Sequence, residues 1–140
     1  MSQKTHEELV EEFHTAMSID VAVKPRQSLL QLREKLLKEE CTEVCQELNK
    51  IEMKILHGSP PSKEDWADLL KELCDLQYVL SGTFISFKKL WDTDFDEAFK
   101  LVHESNMSKL DDEGNPVYRE DGKVTKGPNY LPPDLLELIG

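Results

Sequence analysis

The chain has 140 residues, of which 39% are apolar and 32% are charged, and its excess of acidic side chains gives a net charge of −11. This length suits one domain, and the apolar fraction is sufficient for a packed core, which excludes a disordered tail and a disulfide-stapled miniprotein. An acidic chain without a run of Lys and Arg lacks the charge that nonspecific binding to nucleic acid or to an anionic membrane requires.

A short first helix is predicted for residues 5–17, and a loop follows it. Thr5 can cap the first turn while Glu8, three residues later, completes a capping box. The next segment, residues 18–27, has a mixed composition and contains Pro25, which favours a loop.

A long second helix is predicted from Leu29 to about His57, with Ser28 as its cap, because this stretch contains neither Pro nor Gly. Its apolar residues follow a three-and-four rhythm at positions 29, 32, 36, 44, 48, 51 and 55. At 1.5 Å per residue the helix would be about 45 Å long, whereas a compact domain of this size has a radius of gyration of about 14 Å. A projecting apolar helix end favours dimerisation.

A third helix is predicted after the Gly-Ser-Pro-Pro segment at 58–61, which ends the second one. Ser62, with Asp65 three residues later, supplies its capping signal, and the apolar pattern continues to about Lys89. Gly82 lies in the middle of this helix, where tertiary packing can override its low helix propensity of about 1 kcal/mol.

A fourth helix is predicted to begin with Thr93 or Asp94 as its cap and to end near Leu110. The tail that follows is rich in Gly, Pro, Asn and Asp, and its segments 117–119 and 123–125 can pair as a small hairpin. The elements together predict an all-α fold of four main helices.

The domain organisation expected from these elements is one domain over residues 1–140, with a helical core at 5–110 and an irregular C-terminal extension at 111–140. No run approaches the roughly 20 apolar residues of a membrane span, and the N-terminus does not resemble a signal peptide, so a cytoplasmic protein is expected. The cysteines are odd in number and lack a Cys-x-x-Cys pair, which predicts reduced thiols in or near the core: Cys41, Cys45 and Cys74.

Acidic residues interrupt the apolar pattern of two helices. On the second helix, Glu40 occupies the arc defined by the apolar row, while Glu43 lies at its edge and Glu39 lies further round. On the third helix, Glu72 and Asp75 lie on one side of an otherwise apolar stretch. If the two helices pack antiparallel, these acids face each other.

Such a group of carboxylates requires a positive charge nearby. Two carboxylates about 4 Å apart repel by roughly 4 kcal/mol at an effective dielectric constant near 20, and burial adds to this cost. Lys71 can reach Asp75, but one cation cannot balance five acids. Oxygen ligands without His or Cys favour Mg²⁺ or Mn²⁺. A di-iron bundle is excluded because it uses two Glu-x-x-His pairs and this chain offers one, Glu11 with His14.

These motifs, taken in order, resemble those of the MazG-like all-α nucleoside triphosphate pyrophosphohydrolases. The resemblance consists of Glu-Glu-x-x-Glu at 39–43, Glu-x-x-Asp at 72–75 and the segment His-Glu-Ser-Asn-Met-Ser-Lys at 103–109. The tail, with Lys-Gly-Pro at 126–128 and Tyr-Leu-Pro-Pro at 130–133, is also similar. The Phe-His-Thr-Ala-Met segment of the first helix resembles the dUTP-hydrolysing members of this group.

The resemblance implies a homodimer with a MazG-like four-helix bundle that hydrolyses a (deoxy)nucleoside triphosphate, such as dUTP or a house-cleaning substrate, to the monophosphate and pyrophosphate with Mg²⁺ or Mn²⁺. It implies that five carboxylates bind metal or position the attacking water: Glu39, Glu40, Glu43, Glu72 and Asp75. Glu39 or Glu40 would act as the general base. Asn106 and Lys109 would contact phosphate oxygens.

Three further residues are candidates for substrate binding. Lys123 and Lys126 follow the fourth helix, where a flexible cation can close over phosphates, although solvated lysines are an equally simple interpretation. His14 belongs to a set of rings that can stack on a base, but aromatic residues at helical spacing are more often part of a core.

Two other functions fit the same residues. One is a non-catalytic, dimeric helical interaction module whose acidic groove binds a basic peptide. The other is hydrolysis of a phosphoribosyl nucleotide, which shares the chemistry and differs in substrate. The sequence leaves open whether a dimer pairs further into a tetramer.

Overall fold

The computed structural model describes residues 2–140 and is mostly helical, with four α-helices and one small hairpin in that range. The predicted all-α fold is therefore confirmed. The contacts group the chain into two compact units, the first ending at Lys88 and the second running from Lys89 to Gly140. The fourth helix groups with the tail, and the division into a core at 5–110 and an extension at 111–140 stays a prediction.

The first helix, α1, runs from His6 to Ala16 and has the predicted N-terminus. The backbone N–H of Glu8 donates to Thr5 Oγ1 at 3.1 Å, and the Thr5 N–H donates to the Glu8 carboxylate at 3.2 Å. This reciprocal capping box satisfies two of the free N–H groups at the helix start. The helix buries Val10 and His14 against the rest of the first unit.

The second helix, α2, spans Gln27–Leu56 and has 30 residues, close to the predicted length. The prediction that Ser28 caps it is wrong. The extended residue before the helix is Arg26, which supplies no side-chain cap, and Ser28 already lies in the first turn. There the Ser28 hydroxyl accepts a hydrogen bond from Arg26 Nε at 3.1 Å.

The buried row of α2 differs in part from the apolar rhythm of its sequence. Leu29, Val44 and Ile51 are buried as expected. Three other members of the predicted row are exposed: Leu32, Leu48 and Ile55. Arg33 is buried where the rhythm placed Leu32. Because α2 has extensive contacts with α3 alone, only a narrow stripe of its surface is covered.

The third helix, α3, spans Lys63–Ser86 and is followed by a 3₁₀ turn at Lys88–Leu90, so it ends slightly earlier than predicted. Ser62 and Asp65 form the expected capping box. The helix packs antiparallel to α2. Residues late in α2 contact residues early in α3, as in the pairs Lys54–Asp65 and Lys50–Asp68, and Arg33, early in α2, contacts Val79, late in α3. The apolar centre of this interface contains Val44, Ile51 and Leu69, with Leu76 packed against them.

Gly82 allows three elements to meet closely in the first unit. A Cβ atom at this position would lie 2.6 Å from Nη2 of Arg33 and 2.8 Å from Nε2 of His14. Both side chains are buried, so neither can move aside without losing its packing. The glycine that weakens the helix locally is therefore required by the approach of α1 and α2.

The cysteines do not lie in the core as predicted. Cys41, Cys45 and Cys74 are free thiols, and all three are exposed. The reason is angular: Cys41 and Cys45 each follow an inward-facing residue by one position, which rotates them by about 100° towards solvent.

The second unit contains α4, Phe95–Met107, and the tail. Of the two possible caps, Asp94 accepts a hydrogen bond from the Glu97 N–H at 2.8 Å. Strands β1, Val117–Tyr118, and β2, Val124–Thr125, form the predicted antiparallel hairpin. A 3₁₀ turn at Leu136–Leu138 precedes an antiparallel bridge between Ile139 and Trp91.

Within residues 2–140, no helix combines the length and the apolar character that crossing a membrane requires.

The link between α2 and α3 should make the first unit sensitive to acid. Asp65 is buried and bonds Lys54 and the Ser62 backbone, and these bonds lower the pKa of its carboxyl group to about 2. Because the pKa is lower than the 3.8 of the unperturbed group, this stabilisation is complete above about pH 4 and is lost as the pH falls towards 2. We expect urea unfolding midpoints of Asp65→Asn to depend less on pH between 5 and 2 than those of the wild type. The exposed Asp68→Asn, changed as a control, should keep the wild-type profile, and a wild-type slope for Asp65→Asn would contradict the prediction.

Candidate metal centre

Four carboxylates converge between α2 and α3. Glu40 and Glu43 lie one turn apart on α2, and Glu72 and Asp75 lie one turn apart on α3. One carboxylate oxygen from each of the four lies within 4.8 Å of the others. The antiparallel packing of the two helices brings the two pairs together, as the sequence predicted.

Two of these carboxylates have a buried oxygen that receives no hydrogen bond from residues 2–140. Oε2 of Glu40 and Oε2 of Glu72 are buried, and neither has a hydrogen-bond partner in the described part of the chain. A buried carboxylate oxygen without a partner is unfavourable, and like charges at this separation repel. The residues therefore fit a cation that would satisfy the free oxygens, and the all-oxygen donor set fits a hard divalent ion such as Mg²⁺ or Mn²⁺.

Lys71 is the one protein cation among residues 2–140 that pairs with members of this cluster, and it contacts two of the four carboxylates. Its Nζ lies 2.8 Å from Asp75 Oδ2 and 3.3 Å from Glu72 Oε1. Hydrogen bonds to Asp75 and then to Glu72 raise the pKa of Lys71 above its ordinary value. Its side chain is 67% exposed, so solvent screens its charge, and one screened cation cannot neutralise four acids.

Glu39 lies outside this group. Its side chain is 52% exposed, and its Oε1 lies 4.0 Å from Nζ of Lys35. It borders a shallow polar groove of about 340 Å³ that also contains Glu43, so it adjoins the four carboxylates on their solvent side. Its predicted role as a ligand or base stays a prediction.

His14 lies in the interior of the first unit and not beside the carboxylates. It is 4% exposed, and its Nδ1 is 3.0 Å from the carbonyl oxygen of Asp20. Burial, which is the largest effect, lowers the pKa of this imidazole. Its neighbour Gly82 is seven residues along α3 from Asp75, about 10 Å at 1.5 Å per residue. Its predicted contact with substrate stays a prediction.

The remaining predicted substrate-binding residues belong to the second unit: Asn106, Lys109, Lys123 and Lys126. Within that unit, Gly127 packs so closely on the backbone carbonyls of Lys109 and Leu110 that a Cβ would clash with them. Lys126 Nζ lies 4.8 Å from the centre of the Tyr130 ring. Lys109 and Lys126 therefore lie on neighbouring backbone segments, and the predicted contacts of all four residues with phosphate stay predictions.

Arg33 was not a candidate from the sequence, although it is 5% exposed at the α2–α3 interface. One signal was present, because Arg33 lies four residues after buried Leu29 and seven before Glu40, on the row that contains both. The neighbouring Leu32 obscured it, since an apolar residue is ordinarily preferred for a buried position.

The sequence matches the model of the phosphoribosyl-ATP pyrophosphohydrolase family over residues 2–106. The chain belongs to this family. The match covers all four helices apart from the last residue of α4, and it includes the four clustered carboxylates. The family is part of the MazG-like all-α pyrophosphohydrolase superfamily, which confirms the resemblance seen in the sequence.

Membership makes the chain a hydrolase of the acid-anhydride class, with a nucleotide as the kind of substrate. A search of curated proteins found no match.

Removing one charge from the cluster should stabilise the protein in the absence of metal. Glu40→Gln keeps the shape of the side chain and removes a half-buried negative charge next to three others, so we expect the free energy of unfolding in EDTA to rise by about 1 kcal/mol. The neighbouring Glu39→Gln is the matched control, and its effect should stay within about 0.5 kcal/mol because Glu39 is exposed. Thermal and urea unfolding followed by circular dichroism measure both, and destabilisation by Glu40→Gln would contradict the repulsion.

Proposed function

We propose that this chain hydrolyses a triphosphate-containing nucleotide to a monophosphate and pyrophosphate, with Mg²⁺ or Mn²⁺ held by Glu40, Glu43, Glu72 and Asp75. The observation that carries the proposal is the set of four converging carboxylates with two buried, unpaired oxygens in a member of a pyrophosphohydrolase family. A cation is the group that the free oxygens fit best.

Electrostatics supports the same proposal. A triphosphate is a polyanion, and a chain with a net charge of −11 would repel it. A bound divalent ion supplies positive charge for the phosphates and lowers the pKa of its bound water. The four carboxylates would fix the position of that ion. Glu39, which is exposed and borders the groove that also contains Glu43, would accept a proton from the attacking water. Glu40 is the weaker candidate for the base because it belongs to the cluster.

Two substrates remain as candidates. Phosphoribosyl-ATP is supported by the family whose model matches most of the chain. A deoxynucleoside triphosphate such as dUTP is supported by the Phe-His-Thr-Ala-Met segment at 13–17, which resembles the dUTP-hydrolysing members of the MazG-like group. Both contain the same phosphoanhydride bond, so the proposed chemistry is common to them.

A substrate panel with product identification tests the reaction. With Mg²⁺ or Mn²⁺, we expect equal amounts of pyrophosphate and monophosphate from phosphoribosyl-ATP, dUTP or another member of the common nucleoside triphosphates. Asp75→Asn should lower kcat/KM by about 100-fold or more, since it removes one of four clustered acids. Glu34→Gln is the matched control, because Glu34 is an exposed acid on α2 that pairs with Lys38.

Release of orthophosphate without pyrophosphate would contradict the proposed reaction. Absence of turnover across the panel, together with salt-sensitive binding of a basic peptide without metal, would instead favour the interaction module with an acidic groove.

We also propose that two copies of this chain pair through the face formed by α1 and α3. This face contains an apolar pocket of about 310 Å³, and the residues that line or border it include several exposed apolar side chains: Leu9, Phe13, Leu73 and Tyr78. Exposed apolar residues grouped on one face are typical of an interface between subunits. The dimer implied by the sequence resemblance would cover them.

The mass of the protein in solution tests this pairing. Light scattering after gel filtration should give twice the chain mass of 16.1 kDa, or a multiple of that value if dimers associate. Leu9→Glu places a charge on the apolar face and should shift the mass to that of the monomer. Leu136→Glu, at a still more exposed leucine of the tail, is the control that should leave the mass unchanged. A monomeric wild type would remove the proposal.

A further inference from the structure

Arg33 carries a buried positive charge that no carboxylate neutralises by contact. Its Nε donates to Thr83 Oγ1 at 3.1 Å and its Nη2 donates to the carbonyl oxygen of Val79 at 2.8 Å, and both acceptors are neutral. No ion pair of this side chain occurs within residues 2–140. Burial lowers the pKa of the guanidinium, yet an arginine stays protonated in proteins.

The imidazole of His14, which lies beside the Arg33 guanidinium, does not offset its positive charge. Nε2 of His14 and Nη2 of Arg33 both approach the position that a Cβ would take at Gly82. Since Nδ1 of His14 faces the carbonyl oxygen of Asp20, this nitrogen carries the proton, and the imidazole is neutral when its pKa is lowered. An isolated buried charge is unfavourable unless other charges offset it.

Negative charges that can do so lie along the same interface. Arg33 precedes Glu40 by seven residues, which is two turns and about 10 Å on the same face of α2. Val79, which accepts a hydrogen bond from the guanidinium, lies one turn beyond Asp75 on α3. The buried cation and the four partly exposed carboxylates therefore occupy successive levels of one helix–helix interface.

We propose that Arg33 is a positioning residue that acts as the internal counter-charge of the four carboxylates, holding them together without metal and weakening their affinity for divalent cations. This inference rests on the proposed metal centre. A positive charge two helical turns from Glu40 stabilises the metal-free acids and also repels a divalent ion bound to them, so both effects have one origin. Removal of the charge should tighten divalent binding by about tenfold, and should lower the stability of the metal-free protein.

A titration of Mn²⁺ into the full-length protein, followed by calorimetry, tests the inference without measuring catalysis. Arg33→Met removes the charge and keeps much of the side-chain volume, and it should bind Mn²⁺ about tenfold more tightly than the wild type. Arg33→Lys keeps the charge and should bind as the wild type does. Lys35→Met is the matched control, because Lys35 is nearer to Glu40 in sequence but is exposed, and its effect should stay within about twofold.

Unchanged or weaker Mn²⁺ binding by a folded Arg33→Met protein would overturn the inference and leave the metal centre intact. Failure of the wild type to bind Mn²⁺ would remove the metal centre itself. If circular dichroism shows that Arg33→Met does not fold, Arg33→Gln, which also removes the charge but keeps a hydrogen-bond donor, takes its place. Arg33→Gln should likewise bind Mn²⁺ more tightly than the wild type, and no tightening would overturn the inference.

Discussion

The antiparallel contact between α2 and α3 carries both the core of the first unit and its candidate centre. Val44, Ile51 and Leu69 form the apolar part of this contact, and the four carboxylates lie on the same pair of helices. The apolar packing fixes the distance between the two backbones, and this distance also determines how close the four carboxylates lie, despite their mutual repulsion. Repulsion within the centre is thus opposed by hydrophobic burial elsewhere in the interface.

The helices and their caps could be predicted because they depend on local sequence. Thr5 and Ser62 each precede an acidic residue by three positions, and both capping boxes exist. Ser28 does not cap α2 because it already lies in the first turn of the helix. There its hydroxyl accepts a hydrogen bond from the side chain of Arg26. The four clustered acids were also predictable, since Glu40 and Asp75 break apolar patterns that are otherwise regular.

Burial was harder to predict than helix formation, because it depends on which faces another element covers. Apolar rhythm alone could not distinguish exposed Leu32 from buried Arg33, since they are neighbours and only the position of α3 decides which one is enclosed. The same reasoning separates Glu39 from Glu40. Adjacent on the chain and identical in chemistry, they differ by about 100° around the helix, and this angle places one in the groove and the other in the cluster.

The close approach at Gly82 gives α1 an influence on a centre to which it contributes no carboxylate. His14 covers the region where Arg33 crosses α3, so the first helix helps to keep water away from the guanidinium. The reach of a charge depends on the polarisability of what surrounds it, and bulk water at this crossing would reduce the field of Arg33 at the carboxylates several-fold. On the role proposed for Arg33, the N-terminal helix sets the dielectric environment of its guanidinium, and loosening this helix would weaken the field of Arg33 at the acids without moving any of them.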